Sequence, residues 1–372
     1  MEDEVKTVIV IDAGSNTTKA GFAGDDAPRK IFPSYVGYTK KHPINLAMDE
    51  NAYYVGDDAR ERRGRLTMKR PIEDSLVKSW EDYENLLSYT FFNVLKVCPD
   101  DVFAVITESP MQPKKYREKT MEILFELFNL EGVYLASKSL LSLYSTGNTT
   151  GCVIDSGHGV SYSCPIYEGY CSPHTITKLD IGGRHLDEYL NKKLFAAGYE
   201  FTTAFELEDL SKIKETLCYI FYAGEYKDIK PEAEFKTYKL PDDSIVRLSN
   251  ERHQIPEIVF DPKLIGLDQP GLHQNAFQSI MKSNTEIRAE LFKTVVLAGG
   301  NTLFTNFKPR FKSELQGMAP TKTDIEVIDK NERLISSWIG GSIIGNMETF
   351  QHLCIARKDY EEDPKIIHDK TF

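Results

Sequence analysis

Apolar and polar positions follow one another along the chain in two repeating patterns. Short runs rich in Val and Ile, such as VIVIDA at 8–13, are typical of buried strands. Between these runs lie segments whose apolar residues recur every three or four positions, the spacing of a helix with one buried face, most clearly at 111–129 and 206–222. This alternation predicts an α/β fold in which β-sheets are flanked by helices.

A third helical segment, 334–350, carries three glycines among its large apolar residues. Gly340, Gly341 and Gly345 have no side chain to keep a neighbouring backbone at a distance. The segment therefore predicts a helix, or the start of one, that lies close against another part of the chain.

Two segments have the composition of loops rather than of core elements. Residues 39–52 are polar, and residues 261–273 place Ile265, Gly266 and Leu267 between turn-forming residues. Because an apolar loop tip in solvent is typical of an interaction site, we expect Ile265-Gly266-Leu267 to contact a partner.

Composition and charge narrow the classes of function. The 372 residues are 41% hydrophobic, enough for a substantial core and for more than one domain. The net charge of −11 argues against direct binding of nucleic acid through its phosphates.

No stretch approaches the roughly 18 apolar residues of a membrane span, and no basic leader precedes the first apolar run, so neither membrane insertion nor secretion is expected. The six cysteines form no Cys-x-x-Cys pair, which indicates reduced thiols in a cytosolic or nuclear protein.

The most informative pattern is an internal echo. The segments VIVIDAGSNTTKAGF at 8–22 and CVIDSGHGVSYSCPI at 152–166 each run from an apolar strand into Ile-Asp-x-Gly and out into a second strand. Two such segments predict two equivalent hairpins and a duplicated domain.

Both hairpin turns are built from small residues, which allows backbone N–H groups to approach an anion and form a concave nest. Gly14 and Ser15 occupy the first turn, and Ser156, Gly157 and Gly159 occupy the second. Two such nests together predict a site for a polyphosphate.

Charged side chains flank the two turns. Asp12 and Asp155 end their strands beside the expected anion, an arrangement that calls for a hydrated divalent cation, Mg²⁺ or Ca²⁺, between carboxylate and phosphate. Lys19, on the outgoing strand of the first hairpin, is expected to reach back to a phosphate.

A third apolar strand, TVVLAGGNTLF at 294–304, ends in Gly299 and Gly300 before a predicted helix start, an arrangement found where backbone lies against a nucleotide. The chain contains neither a Gly-x-x-x-x-Gly-Lys-Ser/Thr loop nor a Gly-x-Gly-x-x-Gly fingerprint after its first strand. The motifs therefore indicate a different class of nucleotide-binding protein.

Together these motifs resemble those of actin and the actin-related proteins, over essentially the whole chain. The stretches that carry the resemblance are KAGFAGDDAPR at 19–29, YVGDDA at 54–59, SLYSTGNTTG at 142–151, PIYEGY at 165–170, LPDD at 240–243, NER at 250–252 and SSWIGGSI at 336–343. The resemblance implies an actin-like ATPase fold: two duplicated β-sheet domains, flanked by helices, around a cleft that holds ATP or ADP with Mg²⁺ or Ca²⁺. The implied subdomains are a first base at 1–33, 71–145 and 336–372, its outer lobe at 34–70, a second base at 146–181 and 268–335, and its outer lobe at 182–267.

The resemblance also implies which residues contact the nucleotide. The implied phosphate contacts are Gly14, Ser15, Asn16, Lys19, Gly157, Gly159 and Val160. The implied ribose and base contacts are Gly183, Lys214, Glu215, Gly299, Gly300 and Phe304. Asp12 and Asp155 are implied to hold the cation through its water shell. Three positions on the nucleoside side differ from the usual family residues: Phe304 replaces Tyr, Ser211 replaces Arg and Leu334 replaces Lys.

Larger differences from the usual family residues occur at the positions that carry out ATP hydrolysis. Lys138, His158 and Tyr162 stand where the family usually has Gln, Asp and His. In the family, the Gln and the His orient and help to deprotonate the attacking water, and a charged Lys has no acceptor with which to do so. We therefore expect ATP to be bound but hydrolysed poorly, with Lys138 paired either to the γ-phosphate or to Asp12. The alternative is an active ATPase or phosphotransferase that uses His158 as a substitute base.

Two assembly roles are consistent with the resemblance. The chain either forms filaments of its own or acts as an actin-related subunit of a larger assembly with other actin-like subunits. In the second role, actin-binding proteins would insert an apolar helix into a cleft near Tyr144, Ile343 and Met347. The loss of the hydrolytic residues favours the second role, because a filament that turns over needs its ATPase as a clock. We expect a cytoskeletal protein of the cytoplasm, with the cilium and the nucleus as alternatives.

Overall fold

The computed structural model describes residues 7–39, 53–222 and 234–370. Two compact units are present, the first made of residues 1–149, 168–173 and 335–372 and the second of residues 150–167 and 174–334. Except for Thr39, the loop predicted at 39–52 lies outside the described residues. Each unit is an α/β structure, which confirms the predicted fold class.

The first unit is built on a six-stranded sheet with the order β18-β10-β9-β1-β2-β3. These strands are β1 (Thr7–Ala13), β2 (Thr17–Phe22), β3 (Lys30–Pro33), β9 (Val102–Glu108), β10 (Gly132–Ser137) and β18 (Ile355–Ala356). The smaller sheets consist of β4 (Val36–Thr39), β5 (Tyr53–Val55) and β6 (Leu66–Lys69), and of β7 (Ile72–Glu73) and β8 (Leu76–Val77). The central strand β1 runs parallel to β9 and is almost fully buried, as expected for a strand covered on both faces.

Helices cover the sheet of the first unit. They are α1 (Gly56–Glu61), α2 (Trp80–Ser88), α3 (Lys114–Glu122), α4 (Lys138–Tyr144), α11 (Ser336–Gly345), α12 (Phe350–Leu353), α13 (Arg357–Glu362) and α14 (Ile367–Lys370). Wider helical turns continue α2 over Tyr89–Leu95 and α3 over Ile123–Leu127. The buried stripe predicted within 111–129 is confirmed, since Met121, Leu124, Phe125 and Phe128 all lie in the core.

The second unit is built on a five-stranded sheet with the order β13-β12-β11-β16-β17. Its strands are β11 (Gly151–Ser156), β12 (Ser161–Ile166), β13 (Thr177–Leu179), β16 (Val295–Ala298) and β17 (Val327–Ile328), and a separate hairpin pairs β14 (Lys236–Lys239) with β15 (Ile245–Leu248). The helices are α5 (Gly183–Ala196), α6 (Ala204–Leu217), α7 (Glu251–Glu257), α8 (Leu272–Lys282), α9 (Arg288–Lys293) and α10 (Phe307–Met318).

Five strands of each main sheet have the same order and the same directions. In both sheets a three-stranded antiparallel ribbon is followed by two strands that run parallel to its first strand. The first strands of the two ribbons, β1 and β11, carry Asp12 and Asp155. The sheets therefore agree with the duplication that the sequence echo predicted.

Helix α6 is shorter than the sequence pattern at 206–222 suggested. It begins with Thr203 as its cap, whose hydroxyl accepts from the amide of Glu206, while the Glu206 carboxylate accepts from the Thr203 amide. It ends at Leu217 because the amides of Tyr219 and Ile220 donate outside the helix, to the carbonyls of Arg252 and Thr305. The pattern continued beyond the helix because Ile220 is buried in the same core.

The glycine-rich helix α11 packs directly against α4, as the sequence predicted. A Cβ atom on Gly340 would lie 1.9 Å from the carbonyl oxygen of Leu141. Trp338 on the same helix is fully buried, and its indole N–H donates to the carbonyl of Val10 in β1. Glycine at 340 is therefore what allows α11 to lie this close to α4.

The predicted apolar tip at 265–267 is only partly in solvent. Pro262–Ile265 forms a short 3₁₀ turn, and the side chains of Ile265 and Leu267 pack partly against the core of the second unit. Leu264, which is 46% exposed, is the more accessible apolar side chain of this segment. Ile265 and Leu267 are thus half-buried, and the expected contact of residues 265–267 with a partner stays a prediction. In the described ranges, no helix is both long and apolar enough to cross a membrane.

We predict that Gly340→Ala lowers the free energy of unfolding by about 2 kcal/mol or more, because the methyl group cannot fit beside the Leu141 carbonyl without moving backbone. Gly317→Ala in α10 is the matched control, since nothing lies within 4 Å of its would-be Cβ. It should leave stability unchanged or raise it by up to about 1 kcal/mol through helix propensity. Thermal and urea unfolding measure both changes, and equal stability of the two variants would contradict the packing.

Candidate functional site

The two hairpins that carry the predicted phosphate turns are closed in the same way. In the first turn, Gly14–Thr17, the Gly14 amide donates to the Thr17 carbonyl at 3.1 Å. In the second turn, Gly157–Val160, the Gly157 amide donates to the Val160 carbonyl at 3.2 Å. The two turns thus share one backbone geometry, each in its own unit.

Both turns present backbone amides that are not used within the fold. Among the described residues, the amides of Ser15 and Asn16 in the first turn and of Gly159 and Val160 in the second have no acceptor. Consecutive N–H groups at the tip of a tight turn can converge on one anion. This arrangement suits a phosphate group at each turn.

Arg70 holds the first turn in place. Its guanidinium donates to the Ser15 carbonyl at 2.9 Å and to the Asn16 side-chain oxygen at 3.1 Å, and it also contacts the hydroxyl of Tyr35. Because Arg70 binds the carbonyl side of the turn, the amide side is left for a ligand.

Asp12 is the buried centre of the first hairpin. It is 1% exposed, and both of its oxygens are engaged by side chains from other elements. Oδ1 accepts from the Thr107 hydroxyl at 2.6 Å and contacts the Lys138 ammonium at 2.9 Å. Oδ2 accepts from the Lys19 ammonium at 3.1 Å and from the Ser337 hydroxyl at 3.0 Å.

Two opposing effects set the charge state of Asp12. Burial would by itself raise the pKa of this carboxyl, but the charges of Lys138 and Lys19, together with the Thr107 hydrogen bond, hold it well below its usual range. Asp12 is therefore ionised throughout the neutral and mildly acidic pH range, and it is paired with two positive charges.

Of the two partners expected for Lys138, the structure shows Asp12. The ammonium also donates to the Ala13 carbonyl at 2.8 Å. Lys19, which was expected to reach back to a phosphate, likewise lies on Asp12. Both lysines are thus next to the first turn, but both are held by the carboxylate.

The residues around Asp12 do not fit a hydrated divalent cation. A carboxylate offers about four acceptor positions, and four donors already contact Asp12. Two of these donors are cations, so the cluster has a net positive charge. Nowhere in the described part of the chain do three or more His, Cys, Asp or Glu side chains form a group that could bind a metal ion.

Hydroxyl and amide groups contact the second turn. Asn301 donates to the Ser156 hydroxyl at 3.1 Å and to the Gly157 carbonyl at 2.8 Å. The Ser156 and Ser161 hydroxyls are 2.7 Å apart, and Ser161 donates to the Ile181 carbonyl. These hydrogen bonds join the second turn to the segments that contain Ile181 and Asn301.

Two glycines allow other chain segments to reach the second hairpin. Gly299 has a φ of +83°, and a Cβ there would lie 2.4 Å from the Ser156 carbonyl oxygen and 2.6 Å from Asp155 Oδ1. A Cβ on Gly183, the first residue of α5, would lie 3.2 Å from His158 Nδ1 and 3.4 Å from Lys214 Nζ. A side chain in place of either glycine would therefore crowd its neighbours: Asp155 at position 299, and His158 and Lys214 at position 183.

The residues implied on the ribose side form a connected polar group in the second unit. The Lys214 ammonium is buried, lies 2.8 Å from Asp187 and donates to the Gly183 carbonyl. Ser211, which replaces the usual Arg, donates to the other oxygen of Asp187 at 2.8 Å. Burial raises the pKa of Glu215, against the opposing effect of Lys214. Phe304, implied on the adenine side, is 8% exposed.

The three altered hydrolytic positions have different surroundings. Lys138 is bound to Asp12, as described above. His158 is half-buried, and its carbonyl accepts from the Arg184 amide at the start of α5. Tyr162 is buried and lies directly across the β-ladder from Asp155, the place that Lys19 occupies relative to Asp12. Tyr162 and Lys19 therefore occupy equivalent positions in the two repeated hairpins.

Sequence reasoning did not find the polar residues that support the two turns. Thr107 is a hydroxyl near the end of the otherwise apolar strand β9, and Ser337 precedes Trp338 in the glycine-rich helix. Asn301 follows the glycine pair at 299–300. A polar residue at the carboxyl end of a buried strand was the one available signal, at Thr107.

The surface predicted to receive a partner lies on the first unit. Ile343 and Met347 are 47% and 48% exposed, four residues apart at the end of α11. The Tyr144 hydroxyl lies against Gly169, where a Cβ would be 2.6 Å away. The apolar side chains of Ile343 and Met347 are thus accessible to a partner.

Comparison with protein families gives a match that includes all of the residues described above. A family model described as Actin matches residues 2–372. The chain belongs to the actin family. Members of the family generally bind a nucleotide with a divalent cation and are typically cytoskeletal. The glycine turns, the two aspartates and the polar group at Lys214 thus lie in the chain of an actin-like protein.

We predict that Lys138→Met lowers the free energy of unfolding by roughly 1–3 kcal/mol at neutral pH, because it removes one of two charges that compensate a buried carboxylate while Lys19 remains. Lys115→Met, at an exposed position of α3, is the matched control and should change stability by less than about 0.5 kcal/mol. Chemical denaturation at neutral pH measures both.

The ion pair between Asp12 and Lys138 also predicts how the free energy of unfolding depends on pH. Because the pKa of Asp12 is lowered by folding, its stabilising contribution is present above the ordinary value of 3.8 and is lost as the pH falls below it. Lys138→Met should bring the pKa of Asp12 closer to that value. Protonation of Asp12 at low pH therefore costs the variant less stability than it costs the wild type. The stability gap between wild type and variant should therefore narrow by about 1 kcal/mol between about pH 5 and pH 3. A gap that stays constant would contradict the assignment.

Proposed function

We propose that this actin-family chain binds ATP or ADP, hydrolyses ATP slowly and acts as a cytoskeletal subunit in the cytoplasm. The observation that carries the proposal is the position of Lys138. Its ammonium is bound to Asp12 and to the Ala13 carbonyl, beside the turn whose free amides suit a phosphate.

Nucleotide binding is supported by both units independently. Each offers a turn with two amides that lack an acceptor in the described structure, and the second also offers the polar group around Lys214, with Gly183 beside it. We assign the phosphates to Gly14, Ser15, Asn16, Gly157, Gly159 and Val160. Gly183, Lys214, Glu215, Gly299, Gly300 and Phe304 are assigned to the nucleoside.

Slow hydrolysis follows from the residues at the altered positions. Lys138 is a donor only, so it can neither orient water through an acceptor nor remove a proton while charged. The Tyr162 side chain is buried in the sheet of the second unit. Groups that orient or deprotonate the attacking water typically contribute about 10²–10⁴-fold to the rate.

A second candidate function is active ATP hydrolysis or phosphotransfer with His158 as the base. It is favoured by one observation: the His158 ring lies beside the N-terminal residue of α5, at the glycine-lined approach to the second turn. Because the ring is also close to the position of Lys214, a positively charged group, we rank this function below slow hydrolysis.

The assembly role is proposed as a subunit held with other actin-like chains. Exposed Ile343 and Met347 suit an apolar helix of a partner, whereas the apolar residues at 265 and 267 are partly withdrawn into their own core. Filament formation by this chain alone is therefore the second candidate, and Leu264 is the exposed residue that favours it.

We predict single-turnover ATP hydrolysis at least about 10²-fold slower than that of a conventional actin in the same assay. The combined variant Lys138→Gln, His158→Asp and Tyr162→His should raise the rate more than any single change, because residues that act as a unit are not additive. His158→Ala separates the alternatives: no change supports slow background hydrolysis, and a further loss of about tenfold or more would establish His158 as the base. A wild-type rate equal to that of conventional actin would refute slow hydrolysis.

We predict that the purified chain stays in the supernatant after high-speed sedimentation with ATP and Mg²⁺, at concentrations at which a conventional actin pellets. Electron microscopy of the same sample provides the control for small oligomers. Regular filaments would instead establish self-assembly, and Leu264→Asp should then abolish them if the segment at 261–273 lies in the filament contact.

A further inference from the structure

The charge around Asp12 is the feature of the first unit that the proposed function does not explain. A hydrated divalent cation is attracted to sites with net negative charge and unused oxygen acceptors. Asp12 has neither, because Lys19 and Lys138 outnumber its single charge and because Thr107 and Ser337 complete its hydrogen bonds. Of the two carboxylates expected to hold the cation's water shell, Asp12 is therefore already saturated.

Lys138 is the outer member of this group. Its side chain is 22% exposed, whereas that of Asp12 is 2% exposed, so the ammonium lies between the carboxylate and the surface. Two acceptors, Asp12 and the Ala13 carbonyl, fix its position. An ammonium has three N–H donors, and within the described structure the third has no partner.

The Ala13 carbonyl also places this ammonium directly beside the first turn. The next residue is Gly14, followed by Ser15 and Asn16, whose amides have no acceptor among the described residues. A fixed positive charge and two free N–H groups on consecutive residues form a set of donors for one phosphate.

We infer that Lys138 takes over the charge-neutralising role of the divalent cation, so that this chain binds the phosphates of ATP or ADP without needing a bound Mg²⁺ or Ca²⁺. The inference rests on the proposed nucleotide binding and concerns the ligand form that the site accepts: the free nucleotide as well as its metal complex. The lysine provides a permanent charge at a fixed place, whereas a cation must be recruited and must find carboxylate oxygens to hold its water. The carboxylate that would do so in this unit is bound to the lysine instead.

The experiment is equilibrium binding of fluorescent etheno-ATP to the full chain, measured once with excess Mg²⁺ and once with EDTA and no divalent cation. For the wild type, we expect the two dissociation constants to agree within about threefold. For Lys138→Gln, we expect a loss of about tenfold or more on removing the metal, with a much smaller loss in its presence, because the charge-assisted contact is gone. Lys115→Gln, on the exposed surface of α3, is the matched control and should behave as wild type.

The outcomes separate this inference from the proposal beneath it. Wild-type binding that is tight with Mg²⁺ and lost in EDTA would overturn the inference and leave nucleotide binding standing. No binding in either condition would overturn both. Equal metal dependence of wild type and Lys138→Gln would also overturn the inference, since the lysine would then not replace the cation. The wild-type comparison needs no substitution, so the test holds even if the variant folds poorly.

Discussion

One ion pair cluster determines how the first unit is held together. The buried carboxylate of Asp12 joins five elements, since its donors come from β2, β9, α4 and α11 while Asp12 itself ends β1. An isolated carboxylate at this depth would be strongly unfavourable, so the donors and the acceptor require one another. The first turn, the glycine-rich helix and the helix that starts at Lys138 thus have their mutual positions set by a single charged side chain.

The corresponding turn of the second unit has different surroundings. Its hairpin has the same closure and the same strand order, but Tyr162 stands in the place of Lys19, and Ser156, Ser161 and Asn301 provide the local hydrogen bonds. Duplicated hairpins therefore need not duplicate their electrostatics. Two lysines contact Asp12 beside the first turn, and the Lys214 ammonium lies near His158 of the second turn.

Much of this arrangement could be predicted from the sequence, because it depends on local patterns. The α/β alternation, the repeated hairpin and the close contact at Gly340 follow from periodicity and from residue size within short windows. The convergence on Asp12 could not be predicted in the same way, since Thr107 and Ser337 are brought to it only by the tertiary packing of β9 and α11. Similarly, the end of α6 at Leu217 depends on acceptors at Arg252 and Thr305, far along the chain. The partial burial of Ile265 and Leu267 against the second core could not be predicted either, because it depends on side chains that are distant in sequence.

The short helix α4 joins two features of the first unit. Its seven residues begin at Lys138, which is fixed on Asp12, and end at Tyr144, whose hydroxyl lies against Gly169. At 1.5 Å per residue the helix is about 10 Å long, and it is clamped along its side by the backbone contact between Leu141 and Gly340. Such a strut cannot shorten, so an axial displacement of its lysine end must appear at its tyrosine end. An anion at the first turn that moved Lys138 would therefore also move Tyr144.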